Sequence, residues 1–360
     1  MLSLKNITAT HFKNYELQQF VFSENIVGIC GLNGNGKTNL LDAIYYCCFT
    51  RSYFSNSEAN NIQFGKDGFR LEALFINERT EQKVVCIHRG GPKKEFLLND
   101  IPYEKFSKHI GLLPVVMIAP DDIELITGIS EGRRRFIDTV LSQLDAAYLQ
   151  QLITYNKILQ QRNSQLKRMD EDKNSSAAVL EILDEQLIPP AKIIHEKRRT
   201  FLQQLIPMVQ KFYNLISNNA EEVTLEYISQ LNGQSFNDIL TQYRFKDILL
   251  QRSNAGIHKD ELGLQLNGQP FKNIASQGQR KSLLFALKLA EFEVLKLNKG
   301  FAPLLLLDDV FEKLDQQRMQ QLLHWVCREN KGMVFISDTH KERLNEAFKM
   351  LEVNYQLVEL

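Results

Sequence analysis

Gly31-Leu32-Asn33-Gly34-Asn35-Gly36-Lys37-Thr38 reads G-x-x-x-x-G-K-T, and the rest of the chain is read outward from it. The run before it, Val27-Gly28-Ile29-Cys30, is short and apolar, as a strand is; Asn39-Leu40-Leu41-Asp42-Ala43-Ile44 after it has helical composition. Glycines at a strand-to-helix turn let successive backbone N–H groups curl around phosphate oxygens, and the helix start adds positive partial charge. Gly31, Asn33, Gly34, Asn35, Gly36 and Asn39 are therefore expected to cradle a nucleotide. Lys37 would reach its β- and γ-phosphates, and the Thr38 hydroxyl would ligate Mg²⁺.

The chain has 360 residues, enough for two domains, with 44% hydrophobic and 24% charged residues, ordinary for a globular protein. Lys+Arg 43 against Asp+Glu 43 gives a formal net charge of zero, so any polyanion site must be a local patch. The cysteines, Cys30, Cys47, Cys48, Cys86 and Cys327, are odd in number and have no C-x-x-C spacing, which argues against a disulfide framework or a zinc site. No leader-like apolar segment opens the chain and no apolar run approaches about 18 residues, so the expectation is a cytoplasmic protein with no membrane partner.

Leu2 to Phe12 and Tyr15 to Phe22 alternate as strands do. Phe69–Phe75 and Lys83–His88 are further β-type runs, punctuated by Gly90-Gly91-Pro92, and predict an antiparallel meander beside the nucleotide sheet. From Glu131 to about Asn219 the residues turn helical, with Phe136, Val140, Leu144, Leu149, Leu152, Tyr155 and Leu159 on one stripe. A polar break at Asp170 to Ser176 and a turn or kink at Pro189-Pro190 divide this helical arm. Asn267-Gly268 resembles a hairpin turn, and Ser276 opens a helical run through Leu297. The reading is an α/β fold in three segments: an N-terminal head part at 1–128, a helical arm domain at 129–245 and a C-terminal head part at 246–360.

Leu304-Leu305-Leu306-Leu307-Asp308-Asp309 has the form of a Walker B strand, with two carboxylates at the strand's C-terminal edge, where parallel sheets bind ligands. Asp308 would hold the Mg²⁺ shell, and Asp309 would polarise an attacking water as general base; two aspartates capping a helix are the plainer alternative. Ser276-Gln277-Gly278-Gln279, immediately before a helix, is in isolation equally well an N-cap with a glycine turn.

Taken together, these three stretches resemble the ABC-type ATPases, whose signature sequence is S-x-G-Q. The resemblance implies that Ser276, Gln277, Gly278 and Gln279 face the phosphate loop of a second copy, and hence an ATP-dependent homodimer. It further implies a D-loop at Leu314-Asp315 and a switch histidine at His340, for which a surface loop position is the alternative. At Ala119-Pro120-Asp121-Asp122 many such heads carry a glutamine; none stands there.

Gly36-Lys37-Thr38-Asn39-Leu40-Leu41-Asp42-Ala43-Ile44 is similar to the G-K-[ST]-N-[IL]-L-D-A-I block of SMC-related heads. Asn6 to Tyr15 with its F-K-N-Y, Pro120 to Asp138, Tyr155 to Asn163 and Gly256 to Glu261 resemble the RecF family, apart from Ile257 and Lys259, where Pro and Arg are usual. The fold this implies is an ABC-type P-loop ATPase head with an antiparallel β subdomain and a helical arm. The function it implies is that of a slow, DNA-dependent ATPase of recombinational repair and replication. It would bind single-strand/duplex junctions and duplex DNA with ATP and Mg²⁺, and help RecR and RecO-like mediators load recombinase on gapped DNA.

The residues add a basic cluster in the arm, with Arg133, Arg134 and Arg135 as candidate DNA contacts; a solvated helix face is the alternative. An SMC-like chromosome-maintenance ATPase would need far longer heptads. A transporter nucleotide subunit would use the glutamine region in which this chain departs.

Overall fold

The computed structural model describes every residue except 79, 92, 169–172, 218–220, 313 and 314, and no side chain at 173–176 or 312. The chain forms two compact units. The first takes Met1–Ile123, Lys211–Ala220 and Ser276–Leu360; the second takes Glu124–Gln210 and Glu221–Ala275.

The first unit opens with β1 (Leu2–Phe12) and β2 (Tyr15–Val21), an antiparallel pair that turns at Lys13-Asn14. Next come β3 (Ile26–Cys30), buried along its whole length, and α1 (Lys37–Phe49). The meander follows as β4 (Phe69–Asn77), β5 (Thr80–His88), β6 (Lys94–Leu98) and the two-residue β7 (Ile101–Pro102). Along β4 every second side chain is buried, Phe69, Leu71, Ala73 and Phe75, the period of a sheet with one face on a core. These strands form one six-stranded sheet in the order β2-β1-β4-β5-β6-β7. The turn assigned to Gly90-Gly91-Pro92 falls between β5 and β6, with Pro92 outside the described residues. The fully buried β8 (Val115–Ile118) closes this segment.

The second unit contains α2 (Glu124–Thr127), α3 (Ser130–Leu144), α4 (Ala146–Arg168) and α5 (Lys173–Ser217), whose residues from Lys211 belong to the first unit. The expected turn at Pro189-Pro190 does not interrupt α5, which runs through both prolines and through Pro207. The buried Leu187, Ala191 and Ile194 fix the turns on either side, so packing outweighs the missing N–H groups. Of the expected polar break at 170–176, residues 170–172 lie outside the described residues and the backbone from Lys173 is already α5.

β9 (Val223–Ile228), α6 (Phe236–Leu249), β10 (Glu261–Leu266), β11 (Gln269–Pro270) and α7 (Phe271–Ile274) complete this unit. β10 pairs with β9 over six residues, from Glu261↔Ile228 to Leu266↔Val223, and with β11 through a turn at Asn267-Gly268, both at positive φ. That pairing ties residues 261–266 to β9, and the second unit extends to Ala275, past the expected boundary at 246.

Arginines help to build this unit's interior. Arg162 is fully buried, donating to Asp184 at 2.5 Å and to Asp247 and Ser253 at 2.8 Å each. Arg198, 2% exposed, joins Asp138, Asp260 and the Ile257 carbonyl.

After re-entry the first unit adds α8 (Gln277–Lys299), β12 (Leu304–Leu307), α9 (Gln316–His324), β13 (Val334–Asp338), α10 (Lys341–Met350) and β14 (Gln356–Glu359). Its second sheet is parallel, in the order β14-β3-β13-β12-β8. β3 and β12 are separated only by β13, so the phosphate loop after β3 and the aspartates after β12 leave the same edge of the sheet. Among the described residues no helix is long and apolar enough to cross a membrane, and all five cysteines are buried and free.

Candidate nucleotide site

Gly31 to Gly36 form the strand-to-helix turn between β3 and α1, with Gly34 and Gly36 at φ 89° and 106°. These angles are open to glycine and strained for other residues. A Cβ on Gly34 would meet nothing within 4 Å, so the outer wall of the loop is open. Gly36, by contrast, is packed: a Cβ there would fall 2.6 Å from Asn14 Nδ2 and 2.8 Å from the Tyr15 hydroxyl.

The β1–β2 turn thus supports the loop from below. Tyr15 Oη donates to the Gly36 carbonyl at 2.8 Å, Asn14 Nδ2 donates to the Asn35 carbonyl at 3.1 Å, and Asn39 Nδ2 donates back to Asn14 Oδ1 at 2.7 Å. Behind α1, Asp42 is fully buried, receiving the Ser52 hydroxyl and the Tyr53 N–H at 2.7 Å each and the Lys13 ammonium at 2.5 Å. The F-K-N-Y stretch and the aspartate of the L-D-A-I block are therefore two sides of one brace. Asn35 also donates to the Leu360 carbonyl at 2.7 Å, and the Leu360 N–H bonds to Cys30, which fixes the loop from the far end of the chain.

The Lys37 amine lies over the loop, 2.8 Å from the Gly31 carbonyl and 3.2 Å from that of Leu32. Thr38 Oγ1 donates to Asp308, 2.9 Å from Oδ2 and 3.1 Å from Oδ1. Ser337 on β13, which the motifs do not mark, ties the two aspartates together. Its hydroxyl donates to Asp308 Oδ1 at 2.7 Å and accepts the Asp309 N–H at 2.9 Å. Asp309 sits at φ 45°, a left-handed conformation that a non-glycine residue holds only where its surroundings fix it. Burial pushes the Asp308 carboxyl above its usual range; the hydroxyls of Ser337 and Thr38 oppose the shift and Asp309 adds to it.

The donor set suits a small hard cation. Mg²⁺ takes one or two protein oxygens and completes its shell with phosphate oxygens and water. The Thr38 hydroxyl and the desolvated Asp308 carboxylate, side by side at the loop, are such a pair.

Ser276 is the N-cap of α8 and forms a capping box. Its hydroxyl accepts the Gln279 N–H at 3.3 Å, and its own N–H donates to Gln279 Oε1 at 2.6 Å. Gln277 and Gly278 lie in the first turn, and a Cβ on Gly278 would be 2.6 Å from Nη1 of Arg318 on α9. Arg318 is held by Asp315, the N-cap of α9, at 3.3 Å, so one guanidinium lies beside both that residue and the first turn of α8. Leu314 lies outside the described residues.

His340 is the exposed N-cap residue of α10. Its Nδ1 is 2.8 Å from the Thr339 hydroxyl and 3.3 Å from Arg343, and among the described residues none of its hydrogen bonds reaches the phosphate loop. In the stretch that lacks a glutamine, Asp122 holds the backbone in place, accepting the Ala119 N–H at 2.8 Å and the Tyr53 hydroxyl.

The three arginines of the run have different surroundings. Arg133 is buried, forking onto Glu261 at 2.7 and 2.9 Å and donating to the carbonyls of Leu125 and Gly128, so its charge is already used. Arg134 is half-buried and donates to the Asp260 carbonyl at 2.7 Å, and only Arg135 is exposed, beside Glu131. A run of cations in sequence does not reveal which carboxylates the fold returns to it.

A parallel sheet with a phosphate loop, a Walker B strand at the same edge and an S-x-G-Q helix start defines an ABC-type ATPase head. The family model described as the RecF/RecN/SMC N terminal domain matches residues 3–358. The chain is 41% identical to the DNA replication and repair protein RecF of Flavobacterium johnsoniae, over the whole of both chains. It is 40% identical to that of Bacteroides thetaiotaomicron, covering 98% of this chain and 95% of the relative. Among solved structures it is similar to the recombination mediator protein RecF-ATPrS in the RecFOR pathway, with TM-score 0.88 and 27% identity over 100% of this chain and 96% of that one. The Smc head domain of Pyrococcus furiosus, at TM-score 0.56 and 15% identity, shares the fold. The chain belongs to the RecF family.

Proposed function

We propose that this ATPase works in DNA replication and recombinational repair as an ATP-driven dimer that clamps DNA at single-strand/duplex junctions, with RecR- and RecO-like mediators as partners. The observation that carries this reading is the division of the site. Lys37, Thr38, Asp308, Ser337 and Asp309 are joined at one sheet edge. Ser276, in contrast, makes its hydrogen bonds within its own helix start. The N–H groups at the start of the 23-residue α8 suit the γ-phosphate of a nucleotide held by a second copy. The name of the relatives, DNA replication and repair protein RecF, supports the DNA assignment, and the RecF-ATP neighbour at TM-score 0.87 supports ATP.

In this reading the loop N–H groups and Lys37 hold the triphosphate, and Thr38 with Asp308 holds Mg²⁺, which neutralises phosphate charge when bound. Asp309 takes the proton of the attacking water on its carboxylate, aimed by the bond from its own N–H to Ser337. Slow turnover fits the loop after β8, where Asp122 is tied to Tyr53 and Ala119 and no glutamine amide is offered. The nucleotide then times the association with DNA.

Sedimentation of the protein with and without ATP and a gapped duplex tests this. The expected result is a dimer that retains DNA only with ATP, lost in Ser276→Arg although that variant still binds nucleotide. A Ser276→Arg protein that still dimerises with ATP refutes the composite site.

A further inference from the structure

The loop Gly256-Ile257-His258-Lys259-Asp260 of the second unit is pinned residue by residue. Gly256 sits at φ 125°, where a Cβ would lie 2.8 Å from the Tyr155 hydroxyl and 2.9 Å from the Phe236 ring; its N–H donates to Gln230 at 2.9 Å. Ile257 is buried and its carbonyl accepts from Arg198 at 2.8 Å. The His258 ring is held between the Tyr155 hydroxyl at 2.8 Å and the Ser253 carbonyl at 3.2 Å. The Asp260 carboxylate receives Arg198 at 2.8 Å and Tyr227 at 2.5 Å, and its carbonyl receives Arg134 at 2.7 Å.

Lys259 is the exception. It is exposed, and its ammonium makes no hydrogen bond or ion pair among the described residues. Arg252, exposed in the turn after α6, and Arg134 on α3 both lie close enough to add to what burial already does, holding the Lys259 amine below its ordinary range against the smaller opposing pull of Asp247. Three like charges from three chain segments thus gather around one rigid loop. Such an arrangement costs free energy until an anion joins it. Phosphodiester oxygens, singly charged and spaced along a strand, suit separate cations on a fixed frame.

We propose that Lys259 and Arg252, backed by Arg134, form a preorganised phosphate-backbone contact for DNA. This rests on the DNA reading above. Arg134 bonds the Asp260 carbonyl and is left intact in the test; the exposed pair is replaced as Lys259→Gln with Arg252→Gln.

Anisotropy of a labelled gapped duplex, titrated with ATP present at several NaCl concentrations, reads the contact. Each lost backbone contact flattens the slope of log K against log[salt] by about 0.9, so the double variant loses roughly 1.8. Its ATP affinity and melting temperature stay those of the wild type, and Lys259→Arg keeps the wild-type slope. A double variant with the wild-type slope overturns the assignment, whatever it does to protein partners. A wild-type protein that fails to bind DNA removes the DNA reading itself, and the two failures are told apart by measuring the wild type first.

Discussion

Replacing Ser337 with alanine removes one hydroxyl that serves both Walker B carboxylates. The side chain is fully buried, donates to Asp308 Oδ1 at 2.7 Å and accepts the Asp309 N–H at 2.9 Å. Ser337→Ala therefore leaves a buried carboxylate oxygen with one donor fewer and strips the Asp309 N–H of this acceptor. An unsatisfied buried group costs about 1–3 kcal/mol, and bonds to charged groups lie at the upper end, so a loss of roughly 2–3 kcal/mol is expected. For a unit of this size that is a fall in Tm of about 4–12 °C. The second effect is on turnover: Asp309, held at φ 45° in part through its N–H, relaxes and misaligns its carboxylate. A displacement near 1 Å costs up to about a hundredfold in rate, so kcat should fall about 10- to 100-fold while nucleotide affinity, set by the loop and Lys37, changes little. Differential scanning fluorimetry, equilibrium binding of a fluorescent ATP analogue and single-turnover hydrolysis give the three numbers. Unchanged turnover at wild-type ATP affinity refutes the claim that Ser337 positions the base.

Asp309→Asn should fold as wild type, since asparagine tolerates positive φ, bind ATP and dimerise, yet hydrolyse more slowly; wild-type turnover would take the base role from it. Gly256→Ala, forced to φ 125° with its Cβ against Tyr155 and Phe236, should destabilise the protein by about 2–6 kcal/mol, and a melting temperature within a degree of wild type would contradict the packing described. Glu291 on α8, buried with Lys288 at 3.5 Å and Asp122 near that same amine, has its carboxyl pushed up to about 7, by burial above all. Its folded value exceeds the unfolded one, so the folded chain binds the extra proton and stability falls as pH rises from about 4.5 to 7. Glu291→Gln should flatten that slope in thermal melts taken across the window, and an unaltered slope would place the proton elsewhere.

What the sequence showed and what it hid follow from distance along the chain. The phosphate loop, the Walker B strand and the Asn267-Gly268 hairpin are local, their chemistry being written in consecutive residues, and each folds as read. The supports of the loop are not local. Tyr15 stands 21 residues from Gly36, Asn35 reaches Leu360 across 325, and Ser337 reaches Asp308 across 29. No periodicity marks a serine or an asparagine as the partner of a carbonyl on another strand. The F-K-N-Y stretch and Asp42 were visible as parts of a resemblance, but their reason was not. It lies in the fully buried Asp42 of α1, which the Lys13 ammonium reaches from the β1–β2 turn.

The arginines extend the same point. Arg133, Arg162 and Arg198 all lie in the helical arm, yet each is buried against carboxylates brought from 22 to 128 residues away. Cations spent on the interior are not available to a polyanion. Those that remain act only where the fold denies them a carboxylate and holds them still. By that criterion a lysine counts more when its neighbours are fixed than when other lysines and arginines adjoin it in sequence. Lys259 meets the criterion because Arg198, after reaching Asp138, also fixes the Ile257 carbonyl and the Asp260 carboxylate on either side of it. The buried arginine thus holds the loop that carries an exposed cation.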